Sequence, residues 1–154
     1  MKTLIIYASI HHGNTKKVAQ EISSVLKAKV LSFSEVNRKD IEEADLVGFG
    51  SGIYFTKFHK GLINLVEELP DMEGKKAFLF STSGMKANNI FNRSHDKFRK
   101  ILEKKKFEVV GEYTCPGYDT YSLLKYIGGI NKNRPDQKDI DRAKEFAQSI
   151  KPHN

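Results

Sequence analysis

The sequence predicts a doubly wound α/β domain, an open parallel sheet with helices on both faces. Two observations carry this. Short apolar runs of strand length alternate with longer segments whose apolar residues recur at helical spacing, from end to end of the chain. The runs Leu46-Val47-Gly48-Phe49-Gly50 and Ala77-Phe78-Leu79-Phe80 are apolar on both faces, as strands covered by helices on each side must be. A chain of 154 residues fits one such domain with a real core.

The first strand is Leu4-Ile5-Ile6-Tyr7-Ala8, and Val18, Ala19, Ile22, Val25 and Leu26 behind it mark the first helix. Val30-Leu31-Ser32-Phe33 reads as a second short strand, and Asn37 to Glu43 as a turn or short helix. After the third strand, ending near Gly50, Leu62, Leu65, Val66 and Leu69 form one face of a helix that Pro70 ends. The fourth strand, Ala77 to Phe80, leads into a polar turn and a helix carrying Phe91, Phe98, Ile101 and Leu102 inward. Phe107, Val109 and Tyr113 alternate with Glu108, Val110 and Glu112, the pattern of an edge strand wet on one face. Arg134-Pro135-Asp136 opens the last helix, with Ile140, Ala143, Phe146, Ala147 and Ile150 inside and acids toward its positive end.

Five strands with intervening helices bring their carboxyl ends to one edge, where such sheets bind ligands. Four polar or glycine-bearing segments gather there: Ser9–Thr15, Ser51–Phe55, Ser81–Gly84 and Cys115–Asp119. The first, Ser9-Ile10-His11-His12-Gly13-Asn14-Thr15, joins a strand to a helix N-terminus, where unpaired N–H groups favour an anion. It lacks the lysine of the Walker pattern, so a lone phosphate ester suits it better than a metal-bound triphosphate. The alternative is an ordinary polar turn capped by Ser9 or Asn14. Gly48-Phe49-Gly50-Ser51-Gly52 resembles a dinucleotide fingerprint but lacks its third glycine, which disfavours a classical NAD site.

The net charge is +7, with 11 basic against 10 acidic residues up to Ala77 and 15 against 9 beyond it. A basic half suits an acidic partner, nucleic acid or an anionic membrane, and a solvated lysine-rich surface is the plainer reading. The single cysteine, Cys115, excludes an internal disulfide framework, and no Cys/His spacing suggests a metal. With no signal-like or membrane-length apolar run, the expectation is a soluble cytoplasmic monomer.

At these loops the chain resembles the flavodoxins, and the resemblance runs over nearly its whole length. It implies a sheet order of 2-1-3-4-5 and a single FMN-binding domain over residues 1–154. Ser9-Ile10-His11-His12-Gly13-Asn14-Thr15 matches the family's phosphate loop, with Ser9 at the first hydroxyl, Gly13 at the glycine and Thr15 at the end. His11 and His12 stand where small hydroxyl residues are usual, which shifts the burden to backbone N–H groups. The resemblance assigns Ser51, Gly52, Ile53, Tyr54 and Phe55, in the stretch Ser51–Phe58, and Ser81, Thr82, Ser83 and Gly84, in the stretch Ser81–Asn89, to the flavin ring. Tyr54 and Phe55 could stack on it or simply pack the loop down. Backbone at Gly52, Thr82, Ser83 and Gly84 could bond its edge, and Asp119 could bond loop or ring atoms.

The implied function is a low-potential carrier passing single electrons between redox partners, with no catalytic residue of its own. Lys57, His59, Lys60 and Lys86 flank the ring loops, which implies a partner with an acidic surface and a second reduction step less negative than in acidic members. A second class is an enzyme. Gly50–Phe55 with His59 is also similar to the loop of the flavodoxin-like, quinone-coupled protoporphyrinogen oxidases, and an NAD(P)H-dependent flavin or quinone reductase belongs to the same class. The third is a binding module without flavin; no aromatic-and-basic platform for nucleic acid supports it. Cys115 is read as core filler rather than a redox thiol. Tyr118–Asn133, with Leu123, Leu124, Tyr126 and Ile127, is either a short packed helix or a cover over part of the site, and a membrane-touching or partner-binding patch is the bolder reading.

Overall fold

The computed structural model describes residues 1–9, 13–54, 57–83, 88–116 and 134–152, with backbone alone at Tyr54, at 88–92 and at Pro116. Six strands and five helices follow one another as β1 (Thr3–Ala8), α1 (Asn14–Leu26), β2 (Lys29–Ser32), α2 (Arg38–Glu43), β3 (Leu46–Tyr54), β4 (Lys57–Phe58), α3 (Lys60–Glu67), β5 (Lys76–Ser83), α4 (Asn88–Lys104), β6 (Glu108–Pro116) and α5 (Gln137–Ile150). Five strands pair in parallel in the order β2-β1-β3-β5-β6, which is the expected 2-1-3-4-5 once β4 is set aside. β4 is an addition: it pairs antiparallel with the end of β3, Ile53 opposite Phe58 and Tyr54 opposite Lys57.

Two cores lie on the two faces of the sheet. Ile6 and Ala8 of β1, Phe49 of β3 and Leu79 of β5 meet Leu62 and Val66 of α3 and Phe98 and Leu102 of α4. On the other face, Ile5, Phe78 and Phe80 meet Val18, Ala19 and Ile22 of α1 and Ala143 and Ala147 of α5. Inside-facing residues at helical spacing build each helix surface, and both faces are dry, so the central strands read as continuous apolar runs.

Gly48 and Gly50 serve this packing. A Cβ on Gly48 would lie 2.2 Å from the ring tip of Phe78, and one on Gly50 would lie 2.0 Å from that of Phe80. The two glycines are notches in β3 for rings on the neighbouring strand, with Gly48 opposite Phe78 and Gly50 opposite Phe80 in the register. The glycine pattern that mimics a nucleotide fingerprint is thus explained by volume.

Three strands depart from the sequence reading. β3 runs on through Ser51, Gly52, Ile53 and Tyr54, and β5 through Ser81, Thr82 and Ser83, so these residues are strand ends rather than loops. Polar side chains are tolerated there because each finds a partner. β6 is an edge strand as expected, and Cys115 and Pro116 belong to it rather than to a turn. Its alternation is broken by a bulge: Val109 pairs with Ala77 but Gly111 with Phe78, which leaves Val110 as the extra residue. Val109 therefore packs with the α3/α4 core, whereas Val110 and Tyr113 pack with the α1/α5 core.

The short helices and ends are capped from within. Asn37 and Asp40 form a reciprocal capping box at α2, and Asp136 and Asp139 form one at α5. Pro135 precedes that cap instead of opening the helix, after a cis Arg134–Pro135 bond. The expectations for Tyr118–Asn133 lie outside the described residues.

Candidate functional site

The described parts of the expected segments lie at the carboxyl ends of β1, β3, β5 and β6. Between β1 and α1, Gly13 is the helix N-cap with φ 65° and ψ 22°, a left-handed conformation that favours glycine. Gly13 has no side chain to cap α1, so the first-turn N–H groups, which have no partner within the helix, get none from the N-cap residue. The Ser9 hydroxyl oxygen, just past the end of β1, is buried and has no hydrogen-bond partner among the described residues. A buried hydroxyl left unpaired costs about 1–3 kcal/mol, so native proteins keep few of them.

Thr15 is 2% exposed. Its hydroxyl lies 2.9 Å from that of Thr82 at the end of β5. The first turn of α1 is thereby tied to the strand end assigned to the flavin ring. Asn14 opens α1. Ile10, His11 and His12 lie outside the described residues, as do Phe55, Gly84, Lys86 and Asp119.

At the end of β3, the fully buried Ser51 hydroxyl donates to the Gly52 carbonyl at 2.5 Å and accepts from the His59 backbone N–H at 2.8 Å. His59 is the N-cap of α3: its Nδ1 accepts from the Gly61 N–H at 2.9 Å, and its ring packs 4.7 Å from that of Phe33. Gly61 has to be glycine here, since a Cβ would sit 2.3 Å from the Phe33 ring. Burial lowers the His59 pKa. Ser51 and His59 thus hold the β3–β4 hairpin against α3, and Ile53 of that hairpin packs on the core beside it.

The structure adds a residue that sequence reading missed, His95 on α4. It is 7% exposed, and its Nε2 lies 2.7 Å from the Ser81 hydroxyl, which itself donates to Thr114 of β6 at 3.0 Å. Which of the Ser81 hydroxyl and His95 Nε2 donates is set by the imidazole tautomer. Nδ1 faces Glu112 at 3.4 Å, and Arg99 lies 3.2 Å from the same carboxylate. The ring stands edge-on to Phe58 of β4. Its signal was present in the sequence: position 95 falls three before Phe98 and seven before Leu102, on the inward stripe of α4.

Burial lowers the His95 pKa, and Glu112 opposes this without outweighing it. The folded state therefore binds a proton at His95 less readily than the unfolded chain does. The stability that follows is fully present above about pH 6.5 and is lost as pH falls below it. Thermal unfolding of His95→Gln should show a shallower loss between pH 7 and pH 5 than the unaltered chain. Parallel curves for the two proteins would refute it.

Cys115 is 3% exposed, and burial pushes its thiol up to about 12, which leaves it protonated and unreactive. Among the described residues no group of three or more His, Cys, Asp or Glu is placed to hold a metal. No described helix is long and apolar enough to cross a membrane.

A parallel sheet of this order, with a left-handed glycine opening the first helix and hydroxyls at three strand ends, defines a doubly wound α/β protein, a class in which ligands bind at the carboxyl-end edge. The flavodoxin-domain family model matches residues 4–127, and the chain belongs to that family. It is 46% identical over 150 residues to an uncharacterized protein of Methanocaldococcus jannaschii, covering 97% of this chain and 98% of that one. Among solved structures it is similar to a flavodoxin from the domain Archaea, with 18% identity, a TM-score of 0.68 and coverage of 97% and 96% of the two chains. It is also similar to Fusobacterium nucleatum flavodoxin bound to flavin mononucleotide, with 22% identity, a TM-score of 0.70 and 97% of both chains covered.

Proposed function

We propose that this protein binds FMN at the carboxyl-end edge of its sheet and passes single electrons between partner proteins. The observation that carries the reading is the buried Ser9 hydroxyl, without a hydrogen-bond partner among the described residues, in the segment that leads to the glycine N-cap of α1. A phosphate fits both needs at once, because its oxygens accept from a hydroxyl and from first-turn N–H groups. FMN, when bound, supplies the electron chemistry through its ring. The chain's own part is to hold and shield it. Ser9 and the backbone from Gly13 to Thr15 receive the phosphate, and the ends of β3 and β5 flank the ring. The Thr15–Thr82 bond keeps the two parts of the site at fixed separation. The family relationship and a flavin-bound structural neighbour support the choice of flavin over another phosphate ester.

Binding to the flavin-free protein tests it. FMN is expected to bind at least about a hundredfold more tightly than riboflavin, since two charge-assisted hydrogen bonds at about 1.5–3 kcal/mol each are at stake. Ser9→Ala should weaken FMN about tenfold and leave riboflavin unchanged. Equal affinity for the two flavins would overturn the phosphate site. Turnover of NAD(P)H or protoporphyrinogen by the purified protein would replace the carrier with an enzyme.

A further inference from the structure

The exposed face of α4 carries a row of cations that the fold does not use. Arg93, Lys97, Lys100 and Lys104 are all exposed. At 100° per residue their side chains fall within about 60° of arc, and the row is about 16 Å long. None of the four has a carboxylate within ion-pair distance among the described residues, whereas Arg99 on the neighbouring flank is paired with both Asp96 and Glu112. The acids of this helix, Asp96 and Glu103, lie on that other flank.

Stability does not account for the row. Neighbours three and four apart on a helix repel when they carry like charge, and the row contains three such pairs, 93/97, 97/100 and 100/104. Only Lys104, in the last turn, gains from the helix dipole; Arg93 stands nearer the positive end, where no acid offsets it in the first turn. The row also starts at the site. Arg93 lies two residues from His95, which bonds Ser81 near the end of β5.

We propose that this row is the docking surface for an acidic partner protein, a carboxylate-bearing face that lies along α4 and is thereby brought over the carboxyl-end edge of the sheet. The proposal rests on the electron-carrier reading for what the partner does, and on the row itself for where it binds. Carboxylates at about 5–6 Å intervals, as on one face of an acidic helix, match the spacing of the cations. The described part of α4 offers no aromatic platform beside the row of the kind that single-stranded nucleic acid stacks on.

The FMN-loaded protein, photoreduced and mixed with an acidic haem protein (cytochrome b5) or a basic one (cytochrome c), tests this. Electron transfer to the acidic cytochrome should fall steeply as salt rises. R93Q/K97Q/K100Q/K104Q should slow it about tenfold at low ionic strength, converge with the unaltered protein at high salt, and not slow reduction of the basic cytochrome. A control with the same charge change elsewhere, K27Q/K76Q/K138Q/K151Q, should lose much less. Equal losses in the two variants would reduce the effect to net charge and overturn the row. Binding of labelled poly-L-glutamate, followed by anisotropy, needs no flavin: undiminished binding in the row variant overturns the proposal even if FMN is never taken up. Failure to take up FMN, with poly-L-glutamate binding lost only in the row variant, sinks the carrier reading and leaves the surface standing. Loss of short-duplex DNA binding with unchanged cytochrome b5 rates would transfer the row to nucleic acid and overturn the acidic-protein proposal.

Discussion

Gly50→Ala is expected to destabilise the protein by about 3 kcal/mol, the upper part of the range for forcing a methyl group into a packed core. In an open strand the same change would help slightly, because glycine loses more backbone freedom on folding than alanine does. Here the new Cβ would lie 2.0 Å from the Phe80 ring tip and 2.1 Å from the next ring carbon. The ring has nowhere to go: Phe80 is fully buried and stacks on Phe78. For a domain of this size the loss corresponds to a melting point lower by about 6–12 °C. Calorimetry on Gly50→Ala, Phe80→Leu and the double variant measures the coupling. A double variant less stable than the sum of the two losses predicts would remove the steric explanation.

Asp139→Asn is expected to cost a similar amount, about 3 kcal/mol, for a different reason. The Asp139 side chain is 1% exposed and takes two hydrogen bonds from Arg134, at 2.6 and 2.8 Å, and one from the Asp136 N–H at 2.9 Å. Its own carbonyl receives the Tyr113 hydroxyl at 2.7 Å. Burial works against the charged carboxylate, but the Arg134 and Asp136 hydrogen bonds outweigh it and hold its pKa below the usual carboxylate value. The folded protein thus binds a proton there less readily than the unfolded chain. The stabilisation is complete above about pH 4 and disappears as pH falls through the lower folded value. Acid unfolding of the asparagine variant should start from a lower plateau and lose its steepest part. An unchanged midpoint in urea at pH 7 would show that the pair contributes nothing.

Much of this was legible in the chain. Five parallel strands and the segments at their carboxyl ends follow from apolar runs and helical spacing, because burial on both faces leaves a strong pattern; the strand order came from the resemblance to the flavodoxins. What escaped was decided by single contacts across the sheet. Ser51 and Gly52 look like the start of a loop, but they pair with Ser81 and Thr82 of β5, and the Ser51 hydroxyl finds a partner in the His59 N–H. The sequence shows no sign that the Thr15 hydroxyl meets Thr82, 67 residues away. Gly48 and Gly50 mimic part of a dinucleotide fingerprint, and the reason for them, the rings of Phe78 and Phe80, lies on another strand. Local pattern carries no information on such pairings.

The bulge at Val110 has a consequence for how this chain can change. It works as a phase shifter in β6. Upstream, Val109 looks toward α3 and α4. Downstream, the extra residue exchanges the two faces, so Glu112 and Thr114 join the His95 network under α4 while Tyr113 and Cys115 enter the opposite core. Substitutions in this strand alter one side chain at a time. Loss or gain of a single residue between Ala77's partner and Phe78's would turn every later side chain over at once, sending a carboxylate into one core and a phenol into the other. The strand can drift in composition but is locked in length.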